Sequence, residues 1–218
     1  LENLKDPENS VSGLARKVSA ESRKDDKGFR RLIVEQLHEL FKETETDSTW
    51  HGGCLALAEM CRRGLLLPER LDQYVKVMEI ALLYDLNRGN HTVGAHVRDA
   101  ACYVVWSFAR AYSPNIMKPH VATLSTKLII VSLFDREINC RRAASATFQE
   151  CVGRQGNFPH GIEILTEADY FTLSHRTNAY LNVSCFVGQY PEYLSSMLHH
   201  LAFEKLQHCD IGIRKLAS

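Results

Sequence analysis

The 218-residue sequence lacks a net charge: 26 Lys and Arg balance 26 Asp and Glu. A nucleic-acid binder, or a protein of anionic membrane surfaces, normally carries a broad positive field. Neither class is expected here, although a local basic patch is compatible with neutrality. Long apolar runs are also missing. Stretches such as Leu128 to Phe134 fall far short of the ~20 residues that span a bilayer. The first 30 residues contain no apolar segment of signal-peptide type. Membrane insertion is therefore not expected. The seven cysteines include no CxxC pair, are odd in number and show no framework spacing. Reduced thiols in a cytosolic compartment fit that pattern, and there the sequons at Asn90 and Asn182 carry no meaning. No alternation of Val, Ile and Thr bounded by hairpin turns appears, so no sheet is expected.

What is present is helical spacing. Residues 1–47 hold 20 of the 52 charges. Within them "SAESRKDDKG" (Ser19 to Gly28) has nothing large and apolar to bury, so residues 1–28 read as a charged lead-in, a loop or a helix end. From Phe29 onward the pattern changes. Pro68, Pro114, Pro159 and Pro191 each precede a segment with apolar residues at helical spacing, with gaps of 46, 45 and 32 residues. Proline suits a first helical turn. The first two gaps match the period of HEAT and armadillo repeats.

Val97, Ala100, Ala101, Val104, Val105, Phe108 and Tyr112 make one apolar stripe. Cys140, Ala143, Ala144, Thr147, Phe148 and Cys151 repeat it 43 positions later. Each stripe puts one helix face into a core. An arginine follows the first apolar residue in each: Arg98 in "HVRDAA", Arg141 in "NCRRAA", and a third copy, Arg214 in "GIRKLA". The fold expected is all-α, an α-solenoid of HEAT/armadillo-like helical hairpins. Its pairs cover 29–66, 68–112, 114–156, 158–190 (short and irregular) and 191–218. The chain begins at Leu1 and ends in "IGIRKLAS", which reads as the opening turns of a helix, so it is expected to be a piece of a longer solenoid.

Several segments bear chemistry-capable residues. "GRQGNFPHG" (Gly153 to Gly161) lacks the GK[ST] ending of a phosphate loop and follows a helix rather than a strand. It reads as an interhelical loop, with Gly153 and Gly156 ending one helix, Asn157 capping and Pro159 opening the next. Arg154, Gln155 and His160 give it more polar reach than a turn requires, so an exposed partner-binding role is expected. The recurring arginine is expected to pack its stem on a neighbouring helix and bond an acid or a carbonyl. Asp99 and Arg142 share a repeat position with opposite charge and are candidates for individual surface roles. His199, His200, His208 and Cys209 lack zinc-ligand spacing and read as polar residues on an outer helix face. The cysteines lie on apolar stripes, where thiols are inert. The aromatics of "TEADYFTLSHRTNAYLNVSCFVGQYPEY" are either an interface cluster or core between repeats. Trp50, before Gly52 and Gly53, reads as a core anchor.

"WHGGCLALAEMCRRGLLLPERL", "VGAHVRDAACYVVWSFARAY" and "FDREINCRRAASATFQECVGRQGNFPHGIEILTEADYF" resemble the central part of the tubulin-folding cofactor D family, long HEAT/armadillo-type solenoids. The resemblance covers about Trp50 to Tyr193, runs more weakly to the end of the chain, and does not extend to the first 47 residues. It implies a non-enzymatic chaperone with no cofactor. Such a protein captures β-tubulin and, with cofactors C and E and an Arf-like small GTPase, assembles or dismantles the αβ-tubulin heterodimer. In that assembly it helps to stimulate the GTPase activity of tubulin. The resemblance further implies a cytoplasmic location at the microtubule cytoskeleton and centrosome. No catalytic or metal-binding residues transfer from it. A thiol- or metal-dependent enzyme and a HEAT scaffold for another cargo are the alternatives the residues leave open.

Overall fold

A computed structural model describes residues 27–89 and 91–218, with side chains from Ile33 onward. The charged lead-in expected over 1–28 lies outside these residues except for its last two positions. The described chain is helical throughout its framework: α1 (Lys27–Glu39), α2 (Asp47–Arg62), α3 (Leu71–Ala81), α4 (Ala95–Ala111), α5 (Val121–Phe134), α6 (Ile138–Gln155), α7 (Gly161–Glu167), α8 (Pro191–His200) and α9 (Ile211–Ala217). Between α7 and α8 the chain is broken into short turns, including a π-turn at Ala179–Val183 and a helical turn at Ser184–Val187. The all-α solenoid is the observed architecture. Among the described residues its one departure is a two-residue antiparallel pairing, Leu86–Asn87 with Thr92–Val93, in the long α3–α4 connection. Arg136 reaches across and donates to both the hydroxyl and the carbonyl of Thr92, which pins that hairpin to the following repeat.

Local chemistry sets the helix ends. Thr46 caps α2 by accepting from Thr49 N at 3.2 Å, and Asp210 caps α9 by accepting from Gly212 N at 2.7 Å. Pro191 stands in the first turn of α8, and Pro68 and Pro114 open short helical turns ahead of α3 and α5.

The helices form two layers. α2, α4 and α6 pack side by side in one; α1, α3 and α5 lie in the other, with α8 against α5. Each repeat is fastened to its predecessor by a buried polar group reaching back about one period. Tyr74 Oη donates to Val34 O at 2.8 Å, Tyr112 Oη to Leu66 O at 3.0 Å, and Tyr180 Oη to Phe134 O at 2.8 Å. Between second helices, Thr147 Oγ1 donates to Cys102 O at 3.0 Å and Cys140 Sγ to Ala95 O at 3.2 Å. These bonds join elements that share no backbone ladder, so they set the register in which neighbouring apolar faces meet. Trp50 is buried, and its indole N–H donates to Lys42 O at 3.0 Å, as a core anchor requires. Gly53 lets α2 close on the ring of Phe41, where a Cβ would come within 2.9 Å of Cζ.

The recurring arginine closes three of the helix pairs. Arg98, 4% exposed, donates through Nε to Asp135 Oδ2 at 2.5 Å and through Nη2 to Asp135 Oδ1 at 3.1 Å. Its third nitrogen, Nη1, donates to Tyr84 O at 2.7 Å. Arg141 donates to the carbonyls of Leu173, Ser174, Asp135 and Arg136, and Arg214 to those of His208 and Cys209. A planar fork with five donors suits this role, because loop carbonyls converge there without a ladder partner. Around Arg98 the charges accumulate. Asp85 lies 3.7 Å from Arg98 Nη1 and 3.2 Å from His208 Nε2. Lys205 is buried beside the same two carboxylates. Burial opposes the charge on both cations. For Arg98 the carboxylates of Asp135 and Asp85 outweigh it and hold the guanidinium charged; for Lys205 burial prevails and its pKa falls.

His200 and His208, read from the sequence as outward-facing, are each 7% exposed, whereas His199 is exposed. The face of α8 turned to α5 takes His200 onto the ring of Phe134, with centroids 6.2 Å apart.

Two outcomes follow from these buried charges. Arg98→Ala strands the Asp135 carboxylate and is expected to cost about 3–5 kcal/mol, read as a lower urea midpoint. Replacing both partners, Arg98→Met with Asp135→Leu, is expected to recover most of that loss. Burial, then Lys205, Lys127 and His199, lower the His200 pKa to about 3. The folded state thus prefers the neutral ring. Its contribution is complete above an unfolded pKa of about 6.5 and fades as pH falls toward the folded value. Urea midpoints followed from pH 7 to 4 are expected to fall less steeply in His200→Gln than in the parent.

Candidate protein-interaction surface

The outward positions of the second helices run at the same spacing as their buried ones. On α2 they are His51, Leu55, Glu59 and Arg62; on α4 His96, Asp99, Tyr103, Trp106 and Arg110; on α6 Arg142, Ala143, Glu150 and Arg154. Because α2, α4 and α6 lie side by side, these rows merge into one continuous face.

Its contacts cross from helix to helix. At the α2 end, the His51 and His96 rings meet edge to face, centroids 5.7 Å apart, and His96 Nε2 sits 3.5 Å from Asp47. In the middle, Tyr103 Oη donates to Glu59 Oε1 at 2.9 Å while Arg62 Nη1 donates to that oxygen at 2.6 Å. Tyr103 stacks on Trp106 at 5.8 Å, and the Arg110 guanidinium lies over the Trp106 ring at 4.6 Å. Toward the far end, Arg110 Nη1 donates to Glu150 Oε1 at 3.0 Å, and Arg154 donates to the same carboxylate. Acidic and basic groups thus alternate around an aromatic centre. Tyr, Trp and Arg are the residue types that dominate protein interfaces.

Between the three helices this face dips into a groove of about 530 Å³, with Asp99, Tyr103 and Trp106 of α4 facing His51 and Leu55 of α2 and Ala143 and Thr147 of α6. Burial raises the Asp99 carboxyl above its ordinary range, with His51 opposing that rise. Burial, then His96, lowers the His51 pKa, so the ring is neutral at pH 7.

The five residues singled out in the sequence separate in the structure. Asp99 and Arg154 are on the outward face of the second helices. Arg142, at the position equivalent to Asp99, is occupied internally: its guanidinium lies 3.9 Å from the Tyr170 ring centroid, and Nη2 donates to Ser174 Oγ at 2.7 Å. Gln155 is a correction. Expected in an exposed loop, it is 5% exposed, and its amide donates to Ala109 O at 2.9 Å and Tyr112 O at 3.2 Å, closing the end of α4. The reason is that α6 runs to Gln155, with Gly156 as its left-handed cap at φ 66°, so residue 155 still points along a helix face. Gly153 lies inside the helix. His160, not Pro159, stands at the start of α7, at φ 50°, stacked on Tyr190 at 4.0 Å and 3.6 Å from Glu192.

The aromatic segment divides as well. Tyr180 and Tyr193 are core, whereas Tyr170 and Phe171 are exposed. Cys54, Cys61, Cys102, Cys140 and Cys151 are buried, and burial pushes their thiols up, Cys61, Cys140 and Cys151 to about 12. Cys185 is exposed, contrary to the expectation of an apolar stripe. Among the described residues no three His, Cys, Asp or Glu side chains converge as metal ligands, and no helix is long and apolar enough to cross a membrane.

A two-layered helical array with one polar and aromatic face defines the chain as an armadillo-type repeat scaffold. Residues 2–162 match the family model "Tubulin-specific chaperone D-like, ARM repeats", and the chain belongs to that family. It is 48% identical over 190 residues to tubulin-specific chaperone D of Dictyostelium discoideum, covering 86% of this chain and 13% of that protein. It is 32% identical over 169 residues to tubulin-folding cofactor D of Schizosaccharomyces pombe, covering 78% of this chain and 15% of that protein. The chain therefore spans only a small part of the length of these relatives. No solved structure matches it.

Proposed function

We propose that the chain is a segment of a tubulin-folding chaperone and that the face of α2, α4 and α6 contacts the client. Membership in the chaperone D-like repeat family carries the reading. In it, the segment helps to capture β-tubulin and supports assembly and disassembly of the αβ heterodimer together with cofactors C and E and an Arf-like small GTPase. Its contribution is binding rather than catalysis: the buried cysteines have thiols raised away from the reactive thiolate. GTPase stimulation belongs to the assembled complex, in the cytoplasm at the microtubule cytoskeleton and centrosome. A solenoid offers a client many modest contacts along an extended surface. Alternating charges on that surface favour register and fast association over raw affinity. Asp99 and Arg154 are the sequence-derived residues placed to act there, with Trp106 and Arg110 between them.

The test is binding of purified tubulin to the chain, by analytical ultracentrifugation. Trp106→Ala combined with Arg110→Ala is expected to weaken binding by about tenfold or more while the thermal melt by circular dichroism stays unchanged. Full binding by that variant removes the face from the client interface. Cross-links from 50–218 in the chaperone assembly that reach only the GTPase or another cofactor would instead make the segment an assembly platform.

A further inference from the structure

Asp99 and Arg142 occupy equivalent positions in consecutive repeats, one after the first buried arginine of each. The structure treats them differently. Arg142 is engaged by Tyr170 and Ser174 of the segment that follows its own pair. Asp99 accepts no hydrogen bond and forms no ion pair among the described residues. It stands in the groove between α2, α4 and α6, beside Leu55, Tyr103 and Trp106. Asp99 is exposed at the mouth of that groove, so an incoming cation can reach a carboxylate that no side chain among the described residues neutralises.

We infer that this groove is a receptor for a single lysine or arginine side chain presented by a partner protein. Three features set the sign and the shape. First, the lining of the groove carries one carboxylate and no lysine or arginine; burial and His96 lower the pKa of the one histidine there, His51, against the opposing pull of Asp99. Second, its wall is aromatic. Arg110 already lies over the Trp106 ring at 4.6 Å, so the surface itself displays the cation–aromatic pairing that an entering guanidinium would extend. Third, a groove of about 530 Å³ lined by Leu55, Ala143 and Tyr103 can shelter the methylene stem of a long basic side chain while the head meets Asp99. An acidic or phosphorylated side chain meets the opposite: a like charge with no cation on the lining.

The inference rests on the proposed client face but is tested without it. The probe is N-acetyl-arginine-N-methylamide, titrated into the full chain with the Trp106 indole N–H followed by NMR; the citrulline analogue, of like shape without charge, is the control. The arginine compound is expected to shift the signal saturably and citrulline not to. Asp99→Asn, nearly isosteric and removing no contact, is expected to weaken the arginine response by about tenfold or more and leave the melt unchanged; Asp99→Glu retains it. Equal responses to arginine and citrulline, or an undiminished response in Asp99→Asn, overturn the inference. Tubulin binding by Asp99→Asn then separates the two readings. A matching loss places the client's basic residue in this groove. Unchanged tubulin binding alongside a lost arginine response keeps the receptor and removes the groove from the client contact.

Discussion

The guanidinium of Arg98 sits where three segments of chain must meet, and its nitrogens are divided among them: Asp135 from the end of α5, Tyr84 and Asp85 from the α3–α4 connection. Neither charge is tolerable alone at 4% and 5% exposure. The pair therefore forms only when α4 and α5 are in register, and the register in turn aligns the apolar stripes. Asp135 also accepts from Glu137 N at 2.8 Å, which turns the chain from α5 into α6. Lys205 and His208 extend the same cluster to the α8–α9 turn, more than 100 residues from Asp85 in sequence. In a repeat array each unit contacts only its neighbours; here a buried ionic cluster ties several units into one.

That arrangement separates two jobs which a small solenoid would otherwise ask of the same residues. Arginines that follow the first buried position of a second helix turn inward and serve the scaffold: Arg98, Arg141 and Arg214 all spend their donors on carboxylates or loop carbonyls. Charges at the positions that face away from the core form a lattice of shared contacts instead, such as Glu150 with both Arg110 and Arg154. Exposed pairs of this kind add little to stability. Their consequence is geometric: they hold long side chains in place around Trp106, and an ordered surface loses less conformational freedom on any contact.

The period of the core was readable in the residues because burial imposes it. The stripe through Val97, Ala101, Val104 and Phe108 and its copy through Cys140, Ala144, Thr147 and Phe148 are packed in the structure as their spacing requires. The polar and aromatic face of the second helices is the complement of the same pattern: His96, Asp99, Tyr103, Trp106 and Arg110 fill the positions the stripe leaves open. The aromatic-rich segment after residue 166 is divided between core and surface, because aromatic density does not say which way a ring points. Gln155 and His200 were misplaced for a related reason. Polar residues were read as outward, yet Gln155 reaches back to two carbonyls that no ladder satisfies, and His200 stacks on Phe134. The Leu86–Asn87 pairing had no alternation to announce it; a two-residue strand is too short to carry a period.

The contrast between Asp99 and Arg142 shows what a repeat can and cannot determine. Packing fixes the positions that face inward, so Arg98 and Arg141 are both buried and both spent on closing their repeats. The next residue along has no such obligation, and its fate depends on what the following connection supplies. After α6 the chain turns through Tyr170 and Ser174, which come within reach of Arg142 and engage it. After α4 no comparable loop covers Asp99; its neighbours are the walls of the adjacent helices. The irregular segment after α7 thus does more than interrupt the array: it covers one outward charge, while the equivalent one in the preceding repeat stays exposed.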